Sequence, residues 1–179
     1  MEKFLILFLF AISLVNCSYL EYPNYNPQVQ FLSSTSINRL DGIYKNYSGE
    51  EEYFTLDYLL MLNRETMFNK NIIKPNKIEL KVINKKKIKL LGFLDDRIII
   101  QKTLRGKLKN GYFTINRIYK LPLFTGILNI YDQQKVRIGL YKNGNIRVDM
   151  EGGACFLIGP MPMLCSNNFV YEMEFNKLE

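Results

Sequence analysis

Residues 135–150 read KVRIGLYKNGNIRVDM, and this stretch decides the fold. Apolar and polar residues alternate on both sides of a turn at 142–144, as in two strands with one buried face. A two-residue loop would place Leu140 opposite Arg147 and mix the two faces. A three-residue loop, with Gly144 in a left-handed conformation, keeps the faces separate. Because a one-residue slip moves every side chain to the other face, we predict the bulged hairpin. Its pairs are Leu140–Ile146, Ile138–Val148, Val136–Met150 and, on the other face, Arg137–Asp149.

A second hairpin precedes this one. Asn110-Gly111 has the composition of a two-residue type I′ loop, in which both residues need positive φ. This loop places Leu108 opposite Phe113 and Gly106 opposite Ile115. One face of the hairpin is therefore apolar or small throughout, which supports the register.

The remaining chain reads mainly as short strands. A period of two, with turns such as Asp95-Asp96 between strands, is typical of antiparallel sheets. One segment differs, because Thr55 has the chemistry of an N-cap and leucines follow at helical spacing, which predicts a short helix over 56–63. The predicted strands are 40–44, 78–82, 88–90, 97–102, 127–131, 154–158 and 169–175.

These patterns predict a mainly β domain over residues 39–179. Eight to ten short antiparallel strands need their edges protected, and closure into a barrel protects them. The run of hairpins, with the early LDGIY at 40–44, resembles the small lipocalin-like domains of envelope lipoproteins. The resemblance implies a meander that closes into a lipocalin-like barrel. A β-sandwich or an open roll is the alternative.

The N-terminus carries a targeting signal. The apolar run FLILFLFAISLV at 4–15 is shorter than the roughly 20 residues that span a bilayer, but it suits the core of a secretory signal. The following Leu14-Val15-Asn16-Cys17 resembles the lipobox of bacterial lipoproteins, although Asn16 replaces the usual Gly, Ala or Ser. The resemblance implies a signal peptide over 1–16, cleavage before Cys17 and acylation of its thiol. A soluble secreted protein and an uncut anchor are the alternatives.

The same resemblance gives a location. Inner-membrane retention in that family uses an aspartate after the cysteine, whereas this chain has Ser18. We therefore expect an outer-membrane lipoprotein of the cell envelope. The domain would face either the periplasm or the cell surface, and the sequence does not distinguish the two. Residues 17–38 are rich in Pro, Ser, Asn and Gln and are expected to form the lipidated N-terminus and a flexible tether.

The charge balance restricts the partners. The formal net charge is +7, and in an envelope protein this favours anionic lipid head groups, lipopolysaccharide or acidic glycans, while nucleic acid is not expected. A simply solvated basic surface is the alternative. The expected partners are the membrane, through the lipid, and a small apolar ligand or another envelope protein.

Two cysteines remain once Cys17 is acylated. Cys155 and Cys165 form an even pair in an oxidising compartment, which makes them a candidate disulfide. Two buried free thiols are the alternative.

Few residues suggest chemistry. The chain has no histidine, which excludes Ser-His-Asp and Cys-His arrangements and the usual zinc sites, and no cofactor motif appears. Three carboxylate groups, at 50–52, 95–96 and 172/174, are the only candidates for acid–base catalysis of glycan hydrolysis. The aromatic candidates for a ligand cavity are Tyr112, Phe113, Tyr119 and Phe124. We expect a non-enzymatic binding module, with a filled-core accessory lipoprotein and a carboxylate-dependent glycan hydrolase as alternatives.

Overall fold

A computed structural model describes residues 27–48, 51–60, 73–123, 128–158 and 161–178, with side chains for all of these except 51–54, 118–133 and 153–171. The described part of the chain is mainly β, with antiparallel sheets and one short α-helix. The predicted fold class is confirmed at this level. The described strands are β1 Val29–Gln30, β2 Gly42–Lys45, β3 Tyr47–Ser48, β4 Glu51–Thr55, β5 Lys77–Asn84, β6 Lys87–Leu94, β7 Arg97–Arg105, β8 Lys107–Lys109, β9 Tyr112–Leu123, β10 Leu128–Tyr141, β11 Ile146–Ile158 and β12 Met161–Phe175.

These strands form three sheets. Sheet A has the order β12-β11-β10-β9-β8, and β1 adds to β10 through Val29 and Tyr141. Sheet B has the order β2-β5-β6-β7, and β3 pairs with β4 in a small third sheet. The pairings among the described strands do not close a barrel. The helix, α1, covers Leu56–Leu59, and a 3-10 helix covers Ile37–Leu40.

Both hairpins predicted from their turns are confirmed. Asn110 and Gly111 have φ values of 51° and 80°, and Leu108 pairs with Phe113. Gly144 has a φ of 90°, the Gly144 N–H donates to Tyr141 O at 3.1 Å, and the Tyr141 N–H donates to Asn145 O at 2.8 Å. This is the type I turn with a bulge that the alternation at 135–150 predicted.

Other boundaries differ from the prediction. The described part of the helix ends at Leu59, and residues 61–63 lie outside the described chain. Leu40 belongs to the 3-10 helix, so β2 starts at Gly42. The last three strands are 13 to 15 residues long, well beyond the segments 127–131, 154–158 and 169–175. The turn at Asp95-Asp96 is where it was predicted, with positive φ at both residues.

The proposed tether is also corrected. Val29 belongs to β1, and Leu32 and Ile37 are buried in the protein. Their burial outweighs the polar composition of the flanking residues, so the described residues 29–38 are part of the fold. The region from 17 to 26 lies outside the described residues.

Contacts divide the described residues into two compact units. The larger unit has its described residues within 25–116, 135–150 and 171–179, and the smaller one has them within 117–134 and 151–170. The single domain over 39–179 stays a prediction. The division passes through β9 to β12, whose 12 to 15 residues far exceed the length of a typical strand. No helix within the described residues is long and apolar enough to span a membrane.

The core of the larger unit lies between sheets A and B. Ile78, Leu80, Ile88 and Leu90 come from sheet B, while the predicted inward residues of the 135–150 hairpin come from sheet A. Tyr44, Phe113 and Phe175 are fully buried among them. The Tyr44 hydroxyl donates to Leu40 O at 3.0 Å, and burial, aided by the charge of Asp41, raises the pKa of Tyr44. Large buried side chains from both sheets therefore contact one another in this core.

Two junctions carry the chain between the sheets. At the first, Gly106 follows β7 of sheet B and precedes β8 of sheet A. A Cβ at Gly106 would lie 2.6 Å from the Phe113 ring, so only glycine fits this close approach. At the second, the residues after β12 pair with β2: Lys177 bridges to Tyr44, and the Leu178 N–H donates to Ile43 O at 2.7 Å.

Candidate functional site: a basic groove beside Phe31

The segment after β1 forms one wall of a surface groove. Val29 and Leu32 are buried, and the Leu32 N–H donates to Gly111 O at 3.0 Å. Phe31, between these two anchors, is 65% exposed. A side chain at Gly111 would meet the Phe31 ring at 2.7 Å, so the ring lies directly over this turn. The anchors on either side hold an aromatic ring at the surface.

A serine turn makes the segment after Phe31 rigid. The Ser33 N–H donates to Ser36 Oγ at 2.8 Å, and the Ser36 N–H donates to Ser33 Oγ at 3.2 Å. Such reciprocal bonds satisfy backbone donors that the 3-10 helix does not use. They place Ser33 and Ser34 at the groove.

The groove has a volume of about 350 Å³ and is open to solvent. Its walls come from the segment at 31–34, the turn between β5 and β6, and the hairpin of β8 and β9. The Gly106 N–H donates to Lys86 O at 2.9 Å, which holds that turn against the start of β8. The described lining contains four lysines and no carboxylate; its residues are Phe31, Leu32, Ser33, Ser34, Lys85, Lys86, Lys107, Leu108, Lys109, Asn110 and Gly111.

More positive charge surrounds this groove. Lys87 pairs with Arg105 across β6 and β7, so two cations lie side by side next to the lysines of the lining. We call the six cations Lys85, Lys86, Lys87, Arg105, Lys107 and Lys109 the basic end. Ile83, near the turn that carries Lys85, is 53% exposed. The basic end therefore joins a positive surface to two exposed apolar side chains, Phe31 and Ile83.

The groove suits an amphiphilic anion. Lysine ammonium groups attract phosphate or carboxylate groups as point charges, while Phe31 and Leu108 offer apolar surface to a hydrocarbon part. Within the described residues, no group of three or more His, Cys, Asp or Glu side chains could hold a metal ion. The lining residues offer contacts for binding a ligand, through the lysine ammonium groups and the apolar side chains of Phe31 and Leu108.

A buried ionic cluster lies on the opposite face of sheet A from the core. Asp149 accepts from Arg147 Nε at 2.6 Å and from Arg137 Nη2 at 3.0 Å, and Arg147 Nη2 contacts Glu172 at 2.7 Å. The predicted Arg137–Asp149 pair is confirmed. The Arg137 guanidinium also lies over the Tyr112 ring, 5.2 Å from its centroid.

Burial and charge act against each other in this cluster. Burial raises the pKa of Asp149, and the hydrogen bond and charge of Arg147 and the charge of Arg137 oppose that rise. Burial alone would lower the pKa of Arg147, but Asp149 and Glu172 outweigh it, so this pKa is raised. Arg147 therefore stays charged, and two hydrogen-bonded guanidinium groups stabilise the Asp149 carboxylate beside it.

The aromatic candidates do not form one site. Phe113 is in the core, whereas Tyr112, its neighbour in β9, lies on the opposite face against Arg137. Successive residues of a strand point to opposite faces, so the two cannot line one cavity. Tyr119 is in β9 with its side chain outside the described part, and Phe124 lies outside the described residues.

The cysteines stay predictions. Cys155 is in β11 and Cys165 is in β12, which are neighbours in sheet A, but their side chains lie outside the described part. Cys17 is outside the described residues.

Three of the described carboxylates in the proposed groups are engaged in other contacts. Asp96 accepts from Lys77 Nζ at 2.7 Å, and that hydrogen bond and charge lower the pKa of Asp96. Glu172 binds Arg147, and Glu174 accepts from Asn145 at 2.7 Å. Glu50 and the side chains at 51–52 lie outside the described part. We find no support for a catalytic carboxylate pair among the described side chains.

Sequence reasoning missed the groove. The net charge alone did not locate a cluster of lysines, and Phe31 falls in the segment predicted as a tether. The missed signal was the apolar pair Val29 and Leu32 around Phe31, which marks a packed segment. No protein-family model, no curated protein and no solved structure matches this chain.

Proposed function

We propose that this protein is a lipid-anchored, non-enzymatic binding module of the cell envelope, whose ligand binds in the groove beside Phe31. The observation that carries the proposal is the combination of four lysines, no carboxylate and an exposed aromatic ring in the described lining of one groove. The ligand would be a small amphiphile with an apolar part and an anionic group. This places the ligand at the surface, whereas two of the aromatic candidates for an internal cavity, Tyr112 and Phe113, lie on opposite faces of β9.

A lipocalin-like barrel is the architecture we propose for the larger unit. Gly106 is the single residue between β7 and β8, and Lys177 pairs with Tyr44 of β2. If both junctions are counted as continuous sheet, β8 of sheet A continues into β7 of sheet B. At the opposite edges, the end of β12 in sheet A continues into β2 of sheet B. Such corners allow two sheets to enclose one core as a barrel.

A filled-core accessory lipoprotein with a protein partner is the second candidate. Ile73, Ile98 and Ile99 are exposed large apolar side chains away from the basic end. A partner protein that covers these side chains would remove apolar surface from water. This role is compatible with a ligand in the groove.

The anchor is tested through Cys17. Replacing Cys17 by Ser should abolish incorporation of labelled palmitate, because the acyl chain is attached through the thiol. Metabolic labelling followed by immunoprecipitation measures this directly. The matched control is Ser18→Ala, which should keep the label. A Cys17→Ser chain that still incorporates palmitate would rule out the proposed anchor.

The groove is tested with hexyl phosphate, a short soluble amphiphile. Titration calorimetry on the full chain in discs of zwitterionic lipid should show hexyl phosphate binding more tightly than hexanol or inorganic phosphate. Lys107→Gln should weaken binding about fivefold, as expected for the loss of one charged contact of about 1 kcal/mol. Lys142→Gln, an exposed lysine outside the groove, is the control. Equal binding of all three compounds, or an equal effect of both variants, would contradict the proposal.

A further inference from the structure

We propose that the basic end docks on the anionic surface of the bilayer, with Phe31 inserted among the lipid head groups. This inference rests on the proposed function and names its ligand: the amphiphile in the groove is an anionic membrane lipid. The basic end would then act as a second membrane contact beside the acylated Cys17.

The first support is charge complementarity. All six cations of the basic end are exposed, and the described groove lining contains no acidic residue. Lys85 and Lys86 come from one turn, Lys107 and Lys109 from one short strand, and the bond between Gly106 and Lys86 holds these elements together. A fixed positive surface of this kind is attracted to anionic lipid head groups within about one Debye length.

The second support is the pair of exposed apolar side chains. Phe31 is 65% exposed and lines the groove with the lysines, and Ile83 is 53% exposed and lies two residues before Lys85. An aromatic ring with flanking cations matches the bilayer interface, where apolar atoms enter the acyl boundary and charges stay at the head groups. Phe31 is held by buried neighbours on both sides, so inserting it requires no rearrangement of the fold.

The third support is position along the chain. Phe31 is fourteen residues after Cys17. Even fully extended, fourteen residues span no more than about 50 Å. An anchor at Cys17 therefore keeps the basic end close to the membrane, which raises its effective concentration there.

A single introduced tryptophan can report this contact, because the chain has none. We would introduce it by Phe31→Trp in the full chain reconstituted in vesicles of phosphatidylcholine, with or without phosphatidylglycerol. Ile73→Trp is the matched control, since Ile73 is equally exposed at 66%. Ile73 is also distant from the basic end in the sequence and in the sheet. Its sequence neighbour Pro75 lies against Gly92, near the end of β6 opposite to Lys87.

The proposal has a specific expected result. Emission from the Phe31→Trp protein should shift to the blue and be quenched by doxyl-labelled lipid in vesicles with phosphatidylglycerol, and high salt should reverse both effects. The Ile73→Trp protein should show neither effect. Lys107→Gln with Lys109→Gln should lower the ratio of docked to undocked protein about thirtyfold, because each lysine near an anionic surface contributes about 1 kcal/mol. Lys45→Gln with Lys142→Gln removes the same charge elsewhere and should leave it unchanged.

Failure of the inference differs from failure of the proposed function. If hexyl phosphate binds through Lys107 but the Phe31→Trp protein shows no quenching in anionic vesicles, the groove takes a soluble amphiphile and the docking proposal is wrong. If hexyl phosphate does not bind, the proposed function itself is wrong. Equal quenching of the Phe31→Trp and Ile73→Trp proteins would also overturn docking by the basic end. Far-UV circular dichroism confirms that each variant is folded.

Discussion

Replacing Asp149 by Ala should destabilise the protein by about 3–5 kcal/mol, because the change leaves two guanidinium groups without their shared acceptor. Asp149, Arg137 and Arg147 are all buried, and Asp149 accepts hydrogen bonds from both arginines. Urea unfolding at neutral pH, followed by circular dichroism, measures the change in the free energy of unfolding.

Two controls separate the loss of one partner from the loss of the cluster. Glu172 is 46% exposed, so water can replace it, and Glu172→Gln should cost less than about 1 kcal/mol. Replacing Arg137, Asp149 and Arg147 together by Met, Leu and Met should recover most of the lost stability, because no charge of this trio then remains buried. A cost below about 1 kcal/mol for Asp149→Ala would contradict the cluster.

Replacing Asn46 by Ala should cost about 3 kcal/mol, the second-largest effect we expect. The fully buried Asn46 side chain donates to Asp57 Oδ1 at 2.9 Å and to Pro75 O at 2.8 Å, and it accepts from the Asp57 N–H at 2.9 Å. Alanine would leave all three groups buried without these partners, and each such loss costs about 1–3 kcal/mol. The same unfolding measurement applies.

Asn143→Ala is the matched control for this prediction. Its side chain accepts from the Asn145 N–H at 3.0 Å in an exposed turn, where water can substitute, so the cost should be below about 1 kcal/mol. Asn46→Asp should be at least as harmful as the alanine change, because it places a second carboxylate beside Asp57. Equal stability of Asn46→Ala and Asn143→Ala would show that Asn46 does not hold α1 to the sheet.

The hairpins could be predicted because their information is local. Asn110-Gly111 and Gly144 require positive φ, and the alternation around them leaves one consistent register. The Arg137–Asp149 contact followed from that register alone. Whether the two sheets join at their edges could not be predicted. One junction depends on Gly106 packing against Phe113, and the other depends on residues 177–178 reaching β2 from the far end of the sequence.

The groove could not be predicted, because its walls are distant in sequence. Phe31, Lys86 and Lys107 meet only through the docking of three separate segments. Composition alone predicted a tether over residues 29–38, although Val29, Leu32 and Ile37 within this segment are buried in the protein. Strand alternation excludes Tyr112 and Phe113 as joint lining residues of one cavity, because consecutive residues of a strand point to opposite faces.

The pairing of β2 with the residues after β12 also governs when folding can finish. Lys177 Nζ donates to Asp41 O at 2.9 Å across 136 positions of the chain, whereas β5, β6 and β7 pair through neighbouring hairpins. Sheet B can therefore start to assemble early. The backbone groups on the outer edge of β2 stay unpaired until residues 177 and 178 have been synthesised and have docked on that edge. This edge is where an unfinished molecule would be exposed to aggregation or would need a chaperone.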